Sequence, residues 1–183
     1  SPASANISAL TDNGFVVRQT VEVDADAPKV WARLIEPSLW WNPEHTFSDN
    51  SANLTLDLRP GGCFCETLPG GDGPGGDGAT APHGGVEHMR LVHIDTGRAL
   101  RMSGGLGPLQ SEAVNGTMTI TLKPLDGGGT RILWEYVVGG FMRYKTGQIA
   151  PAVDKVLAEQ MTRLAGELGP RAVAASPESA PPA

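Results

Sequence analysis

The sequence predicts an α+β domain: a curved antiparallel sheet of about seven strands wrapped on one long C-terminal helix, with one or two short helices after the first strand. Three observations carry this. Short apolar/polar alternations recur from residue 15 to residue 138, separated by Gly, Pro and Asp turns. One stretch near the C-terminus changes to helical spacing over about twenty residues. The chain has 183 residues, which suits one domain of roughly 100–200 residues.

The elements follow in order. Val17, Val21 and Val23 share one parity, opposite Arg18, Thr20 and Glu22, which marks a half-buried strand. Asp26 can cap a helix with Pro28 in its first turn. Val30, Trp31, Leu34 and Ile35 form its apolar stripe, and Pro37 stops it. Leu54, Leu56 and Leu58 alternate in a second strand, and Cys63 to Leu68 resumes it after Pro60-Gly61-Gly62. Residues 69–85 hold eight Gly and three Pro, so a mobile loop is expected there. Val86 to Ile94 and Ala99 to Ser103 make a hairpin around Asp95-Thr96-Gly97. Thr117 to Thr121 and Arg131 to Val138 make another around residues 126–129. Val153, Leu157, Met161, Leu164 and Leu168 then mark one face of the long helix, expected over residues 148–168 with Pro151 in its first turn. The domain is expected over residues 14–169, between a flexible segment 1–13 and a disordered Ala/Pro tail 170–183.

Lys+Arg 14 against Asp+Glu 20 gives a net charge of −6. That supplies no basic face for nucleic acid. No apolar run reaches the 18 or so residues of a membrane span. Ala3-Ser4-Ala5 has the form of a secretory cleavage site, so export with the signal peptide removed is expected, with the cytoplasm as the alternative. Cys63 and Cys65 sit at i and i+2, with Cβ atoms expected too far apart to bridge. Two free thiols count against export, and a lone C-x-C lacks the second pair of a zinc site. No metal or other cofactor is expected.

The order of elements and several stretches resemble the START-like helix-grip superfamily, also called SRPBCC. The similar stretches are V-E-V-D-A-D-A-P-K-V-W-A-R-L at 21–34, L-R-P-G-G-C-F at 58–64, G-G-L-G-P-L-Q at 104–110 and G-T-R-I-L-W-E-Y-V-V-G-G at 129–140. The branch resembled is that of the activator of heat-shock-protein ATPase and the polyketide cyclases. The resemblance implies an internal cavity for an apolar or amphipathic ligand. It implies no particular reaction, because that scaffold carries different sites.

His83, His88 and His93 look evenly spaced, but His88 and His93 differ by an odd number and face opposite sides of a regular strand. Each is read as a surface or singly bonded histidine. Gly-Gly-Asp-Gly at 70–73 and 75–78 reads as flexible loop, not calcium or phosphate site. His45 is a pocket-rim candidate. One of Glu66, Glu87, Glu112 or Glu135 inside a cavity would make a general base. The expected cavity wall is Trp40, Trp41, Phe64, Met102, Trp134, Tyr136 and Met161, entered near residues 69–85 or 104–113. Together these readings favour a non-enzymatic carrier or sensor of a small hydrophobic molecule, acting as a monomer or weak homodimer. The alternatives are a cyclase or lyase using a pocket carboxylate or His45, and a co-chaperone-like interaction protein.

Overall fold

The long alternation at residues 14–23 finds its partner far along the chain. The structure is a computed structural model that describes residues 6–70 and 82–171. Strands β1 (Ile7–Thr11) and β2 (Gly14–Val23) form a hairpin, and β2 then pairs antiparallel with β8 (Thr130–Phe141). Phe15, Val17 and Val23 point inward, opposite Val138, Tyr136 and Thr130 of β8. Between them come β3 (Leu54–Leu56), β4 (Cys63–Pro69), β5 (Pro82–Asp95), β6 (Ala99–Ser103) and β7 (Ala113–Pro124). The sheet order is β1-β2-β8-β7-β6-β5-β4-β3, with a two-residue β9 (Pro170–Arg171) added beside β2. Among the described residues the sheet therefore has nine strands, where the sequence predicts about seven.

Helix α1 (Ala27–Leu34) starts where Asp26 accepts a hydrogen bond from the Lys29 amide at 3.0 Å. It buries Val30, Trp31 and Leu34, and three short 3₁₀ turns (Pro37–Leu39, Pro43–His45 and Ser51–Asn53) lead on to β3. Helix α2 (Thr146–Gly166) lies against the sheet. Leu157, Met161, Leu164 and Leu168 are buried as their spacing requires, and Val153 is half-buried.

Several boundaries move. Residues 7–11, placed in a flexible segment by their composition, are held as β1 by the β2 edge. Residues 170–171 likewise pair with β2 instead of starting the tail. Gly84 and Gly85, assigned to the loop, extend β5 opposite Leu68 and Thr67. The rest of that loop, residues 71–81, and the tail beyond 171 lie outside the described residues. Leu58 leaves the alternation and is exposed. Helix α2 begins at Thr146, so Pro151 sits inside it rather than in its first turn. A proline there has no N–H for the Gly147 carbonyl.

The cysteines also depart from the sequence reading. Cys63 and Cys65 form a disulfide, with Cα atoms 5.3 Å apart. Two residues of regular strand would span about 6.6 Å. The contraction coincides with a bulge: Phe64 pairs with Met89, but Cys65 pairs with Glu87.

Buried polar contacts fix α2 in place. Gln19 of β2 donates to the Asp154 carboxylate at 2.8 Å and to its carbonyl at 2.7 Å. The Asn6 amide donates to the other Asp154 oxygen at 3.0 Å, and the Thr146 hydroxyl donates to the Thr11 carbonyl at 2.6 Å. These contacts satisfy polar groups that would otherwise cost about 1–3 kcal/mol each when buried.

Candidate functional site

The bulge between β4 and β5 aims the site. His88 is the residue of β5 it leaves without a partner on β4. His88 and Met89 are consecutive and both are buried, which a regular strand cannot do. His88 therefore turns inward, while His93 points out. The two do face opposite sides, across a strand that carries a second bulge near Val92.

Glu66 lies on the inner face of β4, on the same parity as Phe64. It is 1% exposed. One carboxylate oxygen accepts from the Ser48 amide at 2.7 Å. The other accepts from the Phe47 amide at 3.2 Å and meets His88 Nε2 at 2.7 Å. Burial works against its charge. The hydrogen bonds from Ser48, from the Phe47 amide and from His88 outweigh that, and hold the carboxyl below its ordinary range. The His88 ring lies between Phe64 and Phe47, with centroids 5.2 and 5.8 Å away.

In front of His88 lies a cavity of about 530 Å³, partly open to solvent and overwhelmingly apolar. Ile149, Val153, Val156 and Leu157 of α2 form one wall, and Leu106 to Ser111 another. Trp41, His45 and Phe47 close the third side. The 104–106 turn is held by Tyr136, whose hydroxyl donates to the Gly104 carbonyl at 2.8 Å and accepts from the Leu106 amide at 3.0 Å. Burial pushes the Tyr136 phenol well above its usual value. A Cβ on Gly116 would come within 2.4 Å of that hydroxyl, so only glycine allows this approach.

Of the seven residues expected at the cavity wall, Trp41 alone lines this cavity. Trp40, Phe64, Met102 and Trp134 instead surround, together with Trp41, a second void of about 20 Å³. Tyr136 and Met161 line neither and are buried in the core. The aromatics pack on one another, Trp40 against Trp41 and Trp134, and Trp41 against Phe64. His45 is at the cavity, as is the turn at 106–111, within the expected 104–113 mouth. Residues 69–70 and 84–85 contribute no lining residue.

The four carboxylates separate. Glu87 pairs with Arg90 at 3.0 Å and Glu135 with Arg18, both on the outer face. Glu112 is tied to the side chain and amide of Arg143, and those hydrogen bonds lower its pKa. Glu66 alone stands behind the cavity. Sequence reasoning missed the Glu66–His88 pair because the bulge that brings His88 inward has no composition signal. The shared parity of Phe64 and Glu66 was the available clue. Among the described residues no three His, Cys, Asp or Glu side chains gather as a metal site. The His83 side chain lies outside the described residues.

Comparison with solved structures gives the same architecture at low identity. A protein from Rhizobium leguminosarum superposes with a TM-score of 0.57 at 14% identity, over 84% of this chain and 93% of that one. Mll3558 from Rhizobium loti gives 0.52 at 19% identity, over 85% and 96%. DynU16, a protein of the dynemicin biosynthetic locus, gives 0.54 at 17% identity, over 87% of this chain and 48% of its own. At these identities the likeness concerns the helix-grip fold alone. No curated protein matches the sequence. The family described as polyketide cyclase / dehydrase and lipid transport matches residues 15–169, from β2 to the end of α2, and the chain belongs to that family.

Proposed function

We propose that the protein binds one small hydrophobic or amphipathic molecule in the cavity between α2, the 106–111 turn and His88, as a carrier or sensor. The observation that carries this reading is the cavity itself. Its volume of about 530 Å³ lies within the range of about 300–1,000 Å³ usual for small-molecule sites. Its lining is apolar with a few polar groups, the combination that gives affinity through burial and orientation through hydrogen bonds. The family description, which joins cyclase chemistry with lipid transport, supports a ligand of this class. The Cys63–Cys65 disulfide supports an exported location, since disulfides persist in oxidising compartments.

A fluorescent hydrophobic probe, 1-anilinonaphthalene-8-sulfonate, tests the proposal. It is expected to bind once per chain with micromolar affinity, about −8 kcal/mol, and to change the emission of Trp41. Val156→Trp places an indole in the cavity from α2 and is expected to weaken binding at least tenfold without unfolding the domain. Absence of saturable binding, or binding untouched by Val156→Trp in a folded protein, overturns the proposal.

A further inference from the structure

Cys63 and Cys65 stand on the face of β4 opposite Phe64 and Glu66. Phe64 and Glu66 are buried and both cysteines are half-buried, so the disulfide lies on the outer face of the sheet, away from the cavity. Across the ladder, Cys63 pairs with Arg90 of β5 and Cys65 with Glu87. Side chains paired in this way have Cβ atoms about 4.5–5.5 Å apart. Arg90 and Glu87 therefore flank the two sulfurs, both exposed and joined along β5 by an ion pair of 3.0 Å.

The strand does not by itself hold these sulfurs at bonding distance. Two residues of regular strand span about 6.6 Å between Cα atoms, and here the span is 5.3 Å. The bridge joins residues only 2 apart in sequence, so it takes little entropy from the unfolded chain and adds little to stability. Where β4 is drawn short, β5 carries one residue more: Phe64 pairs with Met89, Cys65 with Glu87, and His88 has no partner on β4. Phe64, between the cysteines, packs on His88 and Trp41, with centroids 5.2 and 5.5 Å away. An outer-face bond is in this way tied to the position of an inner-face side chain.

We propose that Cys63 and Cys65 form a reversible thiol–disulfide switch that exchanges with an external dithiol and sets the β4–β5 bulge. In the first step a thiolate of the dithiol attacks Cys65 Sγ. The Cys63–Cys65 bond breaks, and Cys63 leaves as a thiolate opposite the Arg90 cation, which favours that charge. In the second step the other thiolate of the dithiol attacks its own sulfur in the mixed disulfide, and Cys65 leaves. The two protons lost by the dithiol are taken up by the cysteines through water. The protein disulfide gains two electrons, and the dithiol is oxidised to a disulfide. In an oxidising compartment the bridged form is the resting state. Reduction frees β4 to take the rise of a regular strand, and the bulge opposite it is no longer fixed.

Dithiothreitol is the probe. The folded protein is equilibrated with it without denaturant, alkylated with iodoacetamide and analysed by mass spectrometry. Two alkyl groups per chain are expected, with the circular dichroism of the domain unchanged. Oxidised glutathione is expected to restore the bond. Arg90→Gln is expected to slow reduction about threefold, the size of effect an exposed charge supplies. A rate unchanged by Arg90→Gln overturns the assignment of Cys63 as the leaving sulfur. Nitrogen-15 NMR of the unmodified protein reads the bulge. The ring nitrogens of His88 and the amide of Met89 are expected to shift on reduction and to return on reoxidation, while the amides of β2 stay in place. The Cys63→Ser, Cys65→Ser double variant is expected to match the reduced spectrum. If the bond resists dithiothreitol until the domain unfolds, or if it is reduced and the His88 and Met89 signals do not move, the inference falls. Neither readout uses a cavity ligand, so ligand binding stands or falls separately.

Discussion

Glu66 holds the rim and the inner wall of the cavity at once. The amides of Phe47 and Ser48 belong to the rim, and His88 belongs to the sheet. Because these bonds need the ionised carboxylate, they couple stability to pH. A carboxyl held below its unfolded value of about 4.5 adds stability that is complete above that pH. The contribution is lost as pH falls through the lower folded value. Glu112, held low by Arg143, acts in the same direction. The urea midpoint is therefore expected to fall between pH 5 and pH 3, and Glu66→Gln to flatten part of that decline. A midpoint that rose on acidification would contradict the assignment. The disulfide next to this site closes a loop of only two residues' separation, so it removes little entropy from the unfolded chain. Its local effect is to pin the strand on both sides of Phe64, which packs on His88.

Helix α2 serves two tasks along its length. Its N-terminal half, from Ile149 to Leu157, faces the cavity. Its C-terminal half buries Met161 and Leu164, and Leu168 is buried just past its end. Met161 is 4% exposed and borders neither the large cavity nor the void of about 20 Å³, so Met161→Ala is expected to cost about 2–5 kcal/mol, the range for a buried truncation. The sequence reading of Met161 as cavity wall implies a loss near 1 kcal/mol instead. Chemical denaturation distinguishes the two. The helix stripe and the strand alternations were legible because burial on one face leaves a period in the sequence. Which part of a buried stripe meets a void was not legible. That depends on how the 40–47 and 104–111 segments lie, and Gln160, Arg163 and Tyr136 set them by long-range bonds. The bulge that turns His88 inward was hidden for a similar reason, since it arises between two strands and not within one.

At the scale of the whole molecule, the sheet is a meander from β3 to β8 closed by a strand from the far end of the sequence. The family match from residue 15 to residue 169 has the same extent as that closed unit. A protein ending at residue 129 keeps β3 to β7 but lacks β8 and α2. It is expected to show no cooperative thermal transition by circular dichroism, because β2 and the inner face of the sheet lose their cover. A sharp transition in that fragment would show the meander to be independently stable.

The register of Phe15 with Val138 has a meaning for the growing chain on a ribosome. Apart from the β1 hairpin, β2 emerges with no partner, and β8 follows more than a hundred residues later. At about 5–20 residues per second, the delay is roughly 6–25 s. Throughout that interval Phe15, Val17 and Val23 are an apolar edge awaiting its neighbour. Arg18 and Glu22 stand between them on the same strand, so the nascent segment carries charge of both signs where it would otherwise recruit another chain.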